Sequence, residues 1–284
     1  MTPIKAVILG LIQGIAEFLP ISSSGHLEIF KEWLGLSDVP LVFDIVLHLA
    51  TLLVLILQFR TRIAELLVAA WNWVTGHGAK AQKQASGSTI QVSRYARQRQ
   101  NETIILLLIV ATIITGIMGY FIDKLPTGGV RIVSIELLIT AVVLALTVLV
   151  KPNAKGDGRG PEETGVGRAA FIGVAQGLGV FSGISRSGFT ISAGLFAGLD
   201  REWAGEFSFL LAIPAVLGAF LLKLKDLGTM ITQVSLGNIA IAFIVAFVSG
   251  WFALKFLLKV IKNGKLYWFA PYLVLIGIIG LIIG

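Results

Sequence analysis

Long apolar runs alternate with short polar segments along this chain, and eight apolar regions stand out. Six of them, Leu41–Phe59, Ile104–Ile122, Ile132–Val150, Ala204–Leu222, Ile239–Leu258 and Leu266–Ile283, are long enough to cross a bilayer as helices. The other two, Pro3–Leu36 and Gly167–Leu199, are each interrupted near the middle by a Ser/Gly/Pro cluster. A half-segment of about 15 residues, at ~1.5 Å per residue, falls short of the ~30 Å hydrocarbon core. Each interrupted region is therefore predicted to be a re-entrant helical hairpin whose irregular tip is buried by protein or reached by water. Lys5 ahead of the first apolar run resembles the start of a signal peptide, but no small-residue cleavage pattern follows, so the segment is expected to be retained.

The two interrupted regions share a phrase. The first copy reads Gln13-Gly14-Ile15-Ala16-Glu17-Phe18-Leu19-Pro20-Ile21-Ser22-Ser23-Ser24-Gly25-His26, and the second reads Gln176-Gly177-Leu178-Gly179-Val180-Phe181-Ser182-Gly183-Ile184-Ser185-Arg186-Ser187-Gly188-Phe189. Gln, Gly, Phe, Ile, Ser, Ser and Gly recur in register, whereas Glu17 and His26 have no counterpart of their kind and Arg186 stands opposite Ser23. An odd number of predicted crossings separates the copies, so the second is inserted upside down. The expected fold is an all-α polytopic membrane protein with six transmembrane helices and two re-entrant hairpins in an inverted-topology repeat. Residues 1–150 form the first half, one hairpin plus three spans, and 167–284 form the second, all within a single membrane domain.

Composition agrees, at 56% hydrophobic and 14% charged residues, which makes lipid the solvent for most of the chain. A net charge of +7 would suit nucleic acid, but the basic residues track alternate loops. Arg60, Arg62, Lys80, Lys83, Arg94, Arg97 and Arg99 occupy one connecting segment, Lys151, Lys155, Arg159 and Arg168 a second, and Lys259, Lys262 and Lys265 a third. The opposite side has only Lys124, Arg131, Lys223 and Lys225 in its loops. By the positive-inside rule the first group faces the cytoplasm and both termini lie outside. Hairpin one then enters from outside and hairpin two from the cytoplasm. Gly76–Gln100 is expected to be a mobile cytoplasmic loop, preceded by an amphipathic stretch at Ile63–Val74. The absence of Cys removes disulfides and thiolate metal sites.

Ionised side chains at mid-bilayer cost about 2.5–3.5 kcal/mol on insertion scales, so each needs a partner or a purpose. If the two hairpin tips meet, Glu17 and Arg186 share one cavity, and the plainest reading is an ion pair that holds the tips together. The surroundings ask for more. Gln13 and Glu17 are four apart and Ser23 and His26 three apart, so each pair shares a helix face. Ser22–Ser24 and Ser185–Ser187 sit where each hairpin's second helix begins, and one Ser per hairpin is explained as an N-cap. Hydroxyls, exposed N–H groups and a guanidinium at two convergent helix starts form a receptor for a highly charged anion, most naturally phosphate. Gln13, Ser22, Ser24, Gly25, Ser185, Ser187 and Gly188 are its expected lining. Glu17 can hold a divalent cation or act as base, His26 can shuttle a proton, and Ser23 is a candidate nucleophile if a base lies within reach. His48 is read as a structural hydrogen-bonding residue. Asp44, Glu136 and Glu206 are read as inter-helix or interfacial hydrogen-bonding groups, and Gly10, Gly14, Gly173 and Gly177 as sites of close helix packing.

On these residues the chain resembles the bacterial undecaprenyl-diphosphate phosphatase family associated with bacitracin resistance. The family's first motif is matched by Gln13, Glu17, Pro20, Ser22, Ser23, Gly25 and His26, and its second by Gly183, Ser185, Arg186, Ser187 and Gly188. The segment Phe207–Pro214 is similar to the family's sequence after that motif. The resemblance implies removal of the terminal phosphate from a C55 isoprenyl diphosphate, giving the lipid monophosphate carrier of cell-wall synthesis. It also implies a divalent cation, magnesium or calcium, held through Glu17, and a site in the bacterial cytoplasmic (inner) membrane open to its outer, periplasmic face. Glu17, Ser23, His26 and Arg186 would be catalytic. Two positions depart from the pattern: Ser182 stands where the second motif has Pro, and Gln13 stands where Glu is frequent, which leaves Glu17 more of the metal-binding role.

The expected partners are the polyprenyl diphosphate lipid and the membrane, with no nucleic acid, and the assembly is left open, a homodimer included. A transporter or lipid flippase is the rival reading that inverted repeats suggest by themselves. It needs a phosphate site but no nucleophile or proton shuttle. A phosphatase using Ser-Gly-His and Ser-Arg-x-x-x-His motifs matches at Ser24-Gly25-His26 and Ser185-Arg186, but Thr190 stands where that chemistry needs a His. The Gly183–Ser187 segment also fails the nucleophile-elbow pattern at its last position.

Overall fold

A computed structural model describes residues 1–35, 41–76, 89–125, 129–150, 158–223 and 234–283. Every regular element among them is helical, apart from an isolated bridge between Arg159 and Leu199. In chain order the helices are α1 (Pro3–Phe18), α2 (Ser23–Trp33), α3 (Leu41–Gln58), α4 (Arg60–Val74), α5 (Thr89–Ile122) and α6 (Val130–Leu146), then α7 (Gly165–Leu178), α8 (Arg186–Phe196), α9 (Arg201–Lys223), α10 (Leu236–Lys262) and α11 (Ala270–Ile283). Both interrupted regions are helix–break–helix units, α1/α2 and α7/α8, with the breaks at the predicted clusters. Among the described residues five helical stretches are long and apolar enough to cross a membrane, and a sixth exists if α3 and α4, bent by 78° at Phe59, count as one span.

The four repeated glycines explain how the units seat. On α1, a Cβ at Gly10 would lie 2.6 Å from the Ala242 carbonyl oxygen of α10, and one at Gly14 would collide with Ser249 and the Ala246 carbonyl. On α7, a Cβ at Gly173 would lie 2.7 Å from the Ala111 carbonyl oxygen of α5, and one at Gly177 2.6 Å from Met118. So α1 lies along α10 and α7 along α5 by the same small-residue device. The pair α6 and α11 is joined where the Gly277 and Gly280 backbone meets Leu138 and Ser134, and its α6 packs on α2 and α8, the second helices of the two units. The tips fall inside the main core, among the buried Phe18, Leu137, Ile172, Ile191 and Phe207, while Leu9, Leu27, Phe43 and Leu47 form a second cluster under α1 and α10.

One expectation is corrected. Thr89–Gln100, read as part of a mobile loop, is the first third of α5, while residues 77–88 lie outside the described part. Arg97 reaches Glu65 at 2.6 Å, and Gln98 donates to the Ala69 carbonyl at 3.0 Å and to Glu102 at 2.9 Å. Arg62 bonds Glu206 at 2.8 Å and Asn101 at 2.9 Å, which ties α4 to both α9 and α5. The charge pattern is a solvated helix face clamped to α4, which a single polar segment cannot distinguish from a loop. The predicted amphipathic stretch is found as α4, which buries Leu66 and Ala69 and exposes Leu67, Val68, Trp71 and Val74.

Candidate active site

Pro20 cannot donate a backbone hydrogen bond, and α1 stops two residues before it at Phe18. The chain then turns through Ser22, whose φ of 66° is the one positive value for a non-glycine residue among those described. That turn lets the Ser22 hydroxyl accept from the Gly25 N–H at 3.2 Å and cap α2. In the other unit the Ser185 hydroxyl accepts from the Gly188 N–H at 3.1 Å and caps α8. The predicted caps are both present. They leave Ser23 and Arg186 as the first residues of the two new helices.

The tips are stitched in both directions. Ser22 Oγ donates to the Ser182 carbonyl, Ser187 Oγ donates to the Phe18 carbonyl at 3.0 Å, and Arg186 Nη2 pairs with Glu17 Oε1. Glu17 Oε2 meanwhile accepts from Ser23 Oγ at 2.6 Å and Gln13 Nε2 at 2.9 Å, and lies 3.5 Å from His48 Nε2. The Glu17 side chain is only 5% exposed, and a carboxylate at such a place is tolerable because both its oxygens are partnered. Arg186, at 25%, opens onto a pocket closed by Leu55 of α3, Thr190 of α8 and Ser208 and Phe209 of α9. A larger apolar groove of about 560 Å³ between α6 and α11 holds no charged side chain and stands apart from this chemistry.

Ser24 is exposed, and Gly25 and Gly188 are buried at the tips. His26 sits outside the Glu17 cluster. Its Nδ1 lies 2.8 Å from the Ser22 carbonyl, its Nε2 lies 2.8 Å from the Tyr272 hydroxyl, and the two rings stack at 5.6 Å. Because a carbonyl only accepts, Nδ1 carries the proton, and in the neutral ring Nε2 accepts from Tyr272. His26 thus holds the backbone of the positive-φ Ser22. His48, read as structural, turns its Nε2 toward Glu17 while its Nδ1 donates to the Asp44 carbonyl at 2.8 Å. Its sequence neighbourhood is plain apolar helix, so no local signal marks it. Glu136 and Thr140 of α6, also read as ordinary hydrogen-bonding residues or passed over, bond the tip of the second unit.

Among the described residues no three His, Asp or Glu side chains gather as a metal cage. The oxygen donors present are the Glu17 carboxylate, the Ser23 hydroxyl and Gln13 Oε1, the last buried with no hydrogen-bond partner. That set suits a hard cation that draws its remaining oxygens from phosphate and water.

A buried serine hydroxyl on a carboxylate, with a guanidinium beside it at the meeting of two helix starts, has the donors and the base to receive a phosphate group, and the class of protein around it is a polytopic helical membrane protein. Comparison sharpens this. The family model for the bacitracin resistance protein BacA matches residues 6–279, and the chain belongs to that family. It is 43% identical over 279 residues to the undecaprenyl-diphosphatase of Treponema denticola, covering 98% of this chain and 96% of that one. It is 37% identical to that of Carboxydothermus hydrogenoformans, over 98% and 96% of the two chains, and 38% identical to that of Desulfosudis oleivorans, over 100% and 99%.

Proposed function

We infer that this membrane protein hydrolyses undecaprenyl diphosphate to undecaprenyl phosphate and inorganic phosphate, the activity for which its relatives are named. The reaction returns a carrier lipid to cell-wall synthesis, and bacitracin resistance follows from it. The observation that carries the site assignment is Ser23 Oγ at 2.6 Å from Glu17 Oε2, with Arg186 on the other carboxylate oxygen.

In the proposed sequence the terminal phosphate binds at Arg186 and the helix starts of α2 and α8. Ser23 Oγ attacks the terminal phosphorus while Glu17 takes its proton, and the bond to the bridging oxygen breaks as the lipid monophosphate leaves. Water then cleaves the seryl phosphate and the Ser23 proton returns from Glu17. Arg186 meets the charge on the transferring oxygens. A divalent cation, magnesium or calcium, held by Glu17 with Gln13 and Ser23 oxygens, would neutralise phosphate charge. His26 fixes Ser22 in this scheme, and a shuttle role would require its Nε2 to exchange Tyr272 for water or phosphate.

Matching seats of α1 on α10 and α7 on α5, with stitching in both directions between the tips, support the inverted repeat of 1–150 and 167–284. Orientation by loop charge supports a site open to the outer face of the cytoplasmic membrane. The same geometry favours a second reading, a lipid carrier that alternates about the tips. The test is phosphate release from a long-chain prenyl diphosphate by purified protein, with and without chelator. Lipid movement across vesicles with no phosphate release would replace hydrolysis by transport.

A further inference from the structure

The loop that carries Arg186 into the site, Val180–Ser185, is a run of turns, and from outside it is held by Ser22 of the first tip and by α6. The Gly183 N–H donates to Glu136 Oε2 at 2.6 Å and the Ser185 N–H donates to Thr140 Oγ1 at 3.2 Å, while the one Thr140 hydroxyl proton is shared between the Glu136 carbonyl of its own helix at 3.0 Å and the Gly183 carbonyl at 3.2 Å. Glu136 and Thr140 are four apart, so one face of α6 presents both. The approach is close: a Cβ at Gly183 would collide with the Val133 carbonyl and Glu136, which is the physical requirement for glycine there. Glu136 is 7% exposed and Thr140 fully buried, so neither is spent on solvent.

This clamp has a reason in the sequence. Position 182, one residue before the clamped glycine, is Ser, which does not itself fix the backbone. A proline there would narrow the loop's backbone freedom covalently. With Ser, hydrogen bonds hold the loop instead, and α6 meets it at the Gly183 N–H, the Gly183 carbonyl and the Ser185 N–H. The Ser182 carbonyl accepts from Ser22 of the first tip, so slack at 182–183 would reach both Arg186 and the Ser22–Ser23 turn.

We propose that Glu136 and Thr140 are positioning residues for the phosphatase reaction, a buried clamp on the Gly183–Ser185 backbone that sets Arg186 against Glu17 and replaces the rigidity a proline would provide. Neither side chain touches substrate; both act through the loop. The proposal rests on the phosphatase reading for its kinetic arm and on geometry alone for its structural arm.

The experiment uses the full-length protein in detergent and four variants: Glu136→Ala, Glu136→Gln, Thr140→Val and the double variant Glu136→Ala/Ser182→Pro. The Ser182 N–H donates no hydrogen bond found among the described residues, so proline at that position removes none and leaves the carbonyl in place. Deuterium uptake of the peptide covering 180–188 is expected to rise at least fivefold in rate in Glu136→Ala and Thr140→Val and to return toward wild type in the double variant. On a long-chain prenyl diphosphate, kcat is expected to fall at least tenfold in Glu136→Ala, to recover at least threefold when Ser182→Pro is added, and to stay within threefold of wild type in Glu136→Gln, which keeps an acceptor oxygen. Unchanged uptake in Glu136→Ala and Thr140→Val overturns the clamp. So does a loss of activity in Glu136→Ala that Ser182→Pro does not relieve, because a purely structural defect would not be mended at that one peptide. If wild type itself releases no phosphate, the phosphatase reading falls while the uptake arm still decides the clamp.

Discussion

Replacing Glu17 by Gln keeps the side chain's size and one carbonyl oxygen while removing its charge and its capacity to take a proton. In the wild type one carboxylate oxygen faces Arg186 and the other receives Ser23 and Gln13, so both functions of the group change at once. Loss of a positioned general base lowers a rate by about 10²–10⁴, which is roughly 2.7–5.4 kcal/mol of transition-state free energy. The effect on stability is smaller. Breaking a fully buried ion pair costs about 3–5 kcal/mol, but Arg186 is 25% exposed and water screens what it loses. The expected outcome is a folded protein whose thermal transition, followed by tryptophan fluorescence, drops by a few degrees while kcat for phosphate release falls at least a hundredfold. Because Gln can still accept from Ser23, binding of the lipid diphosphate is retained. Turnover within threefold of wild type would remove Glu17 from the chemistry and leave the pair a structural tie.

Arg186→Lys trades a bidentate fork for a point charge, and kcat is expected to fall at least tenfold, about 1.4 kcal/mol, when phosphate release is measured at saturating lipid. Ser23→Ala should abolish turnover yet still retain the diphosphate lipid in a pull-down on radiolabelled substrate; turnover at the wild-type rate would make water, not Ser23, the attacking group. In this Cys-free chain, Thr2→Cys should react with an impermeant thiol reagent in intact cells and Lys262→Cys only after lysis; the reverse pattern inverts the orientation and the face on which the site opens. Gly14→Val would drive a side chain into Ser249 and the Ala246 carbonyl of α10, and overpacking of ~1–3 kcal/mol or more should appear as a lowered thermal transition, whereas an unchanged one would deny the tight seat.

Local spacing made half of the site readable. Gln13 and Glu17 share a helix face by their separation of four, and the serine clusters after each break announce helix starts whose caps the structure contains. The repeated glycines likewise announce close packing, because only a missing Cβ lets two backbones approach so closely. What the sequence could not display are contacts made across the fold. His48 reaches Glu17 from α3, Tyr272 reaches His26 from α11, and Glu136 reaches Gly183 from α6, at separations of 31, 246 and 47 residues. A lone polar residue in an apolar helix has the same local pattern whether it faces a site or a neighbouring backbone. The misreading of Thr89–Gln100 has the opposite cause: its polarity was visible, but the Glu65 and Ala69 partners that keep it helical lie on another helix.

The Glu17–Arg186 pair connects the fold to the proposed reaction. A charge inside an apolar helical protein is tolerated only when neutralised, and Glu17 and Arg186 neutralise each other. A phosphate arriving at Arg186 competes with Glu17 for the guanidinium. As the substrate takes over those N–H donors, the carboxylate loses a partner on one oxygen while Ser23 remains hydrogen-bonded to the other. In the proposed reaction binding would do two things with one displacement: give the anion its counter-charge, and leave Glu17 free to take the proton that Ser23 donates to it. A carrier would gain only the first of these. In a carrier the Ser23–Glu17 hydrogen bond would only partner a buried carboxylate, whereas in hydrolysis it also sets the nucleophile on its base, and that second use is the structural reason to favour hydrolysis over transport.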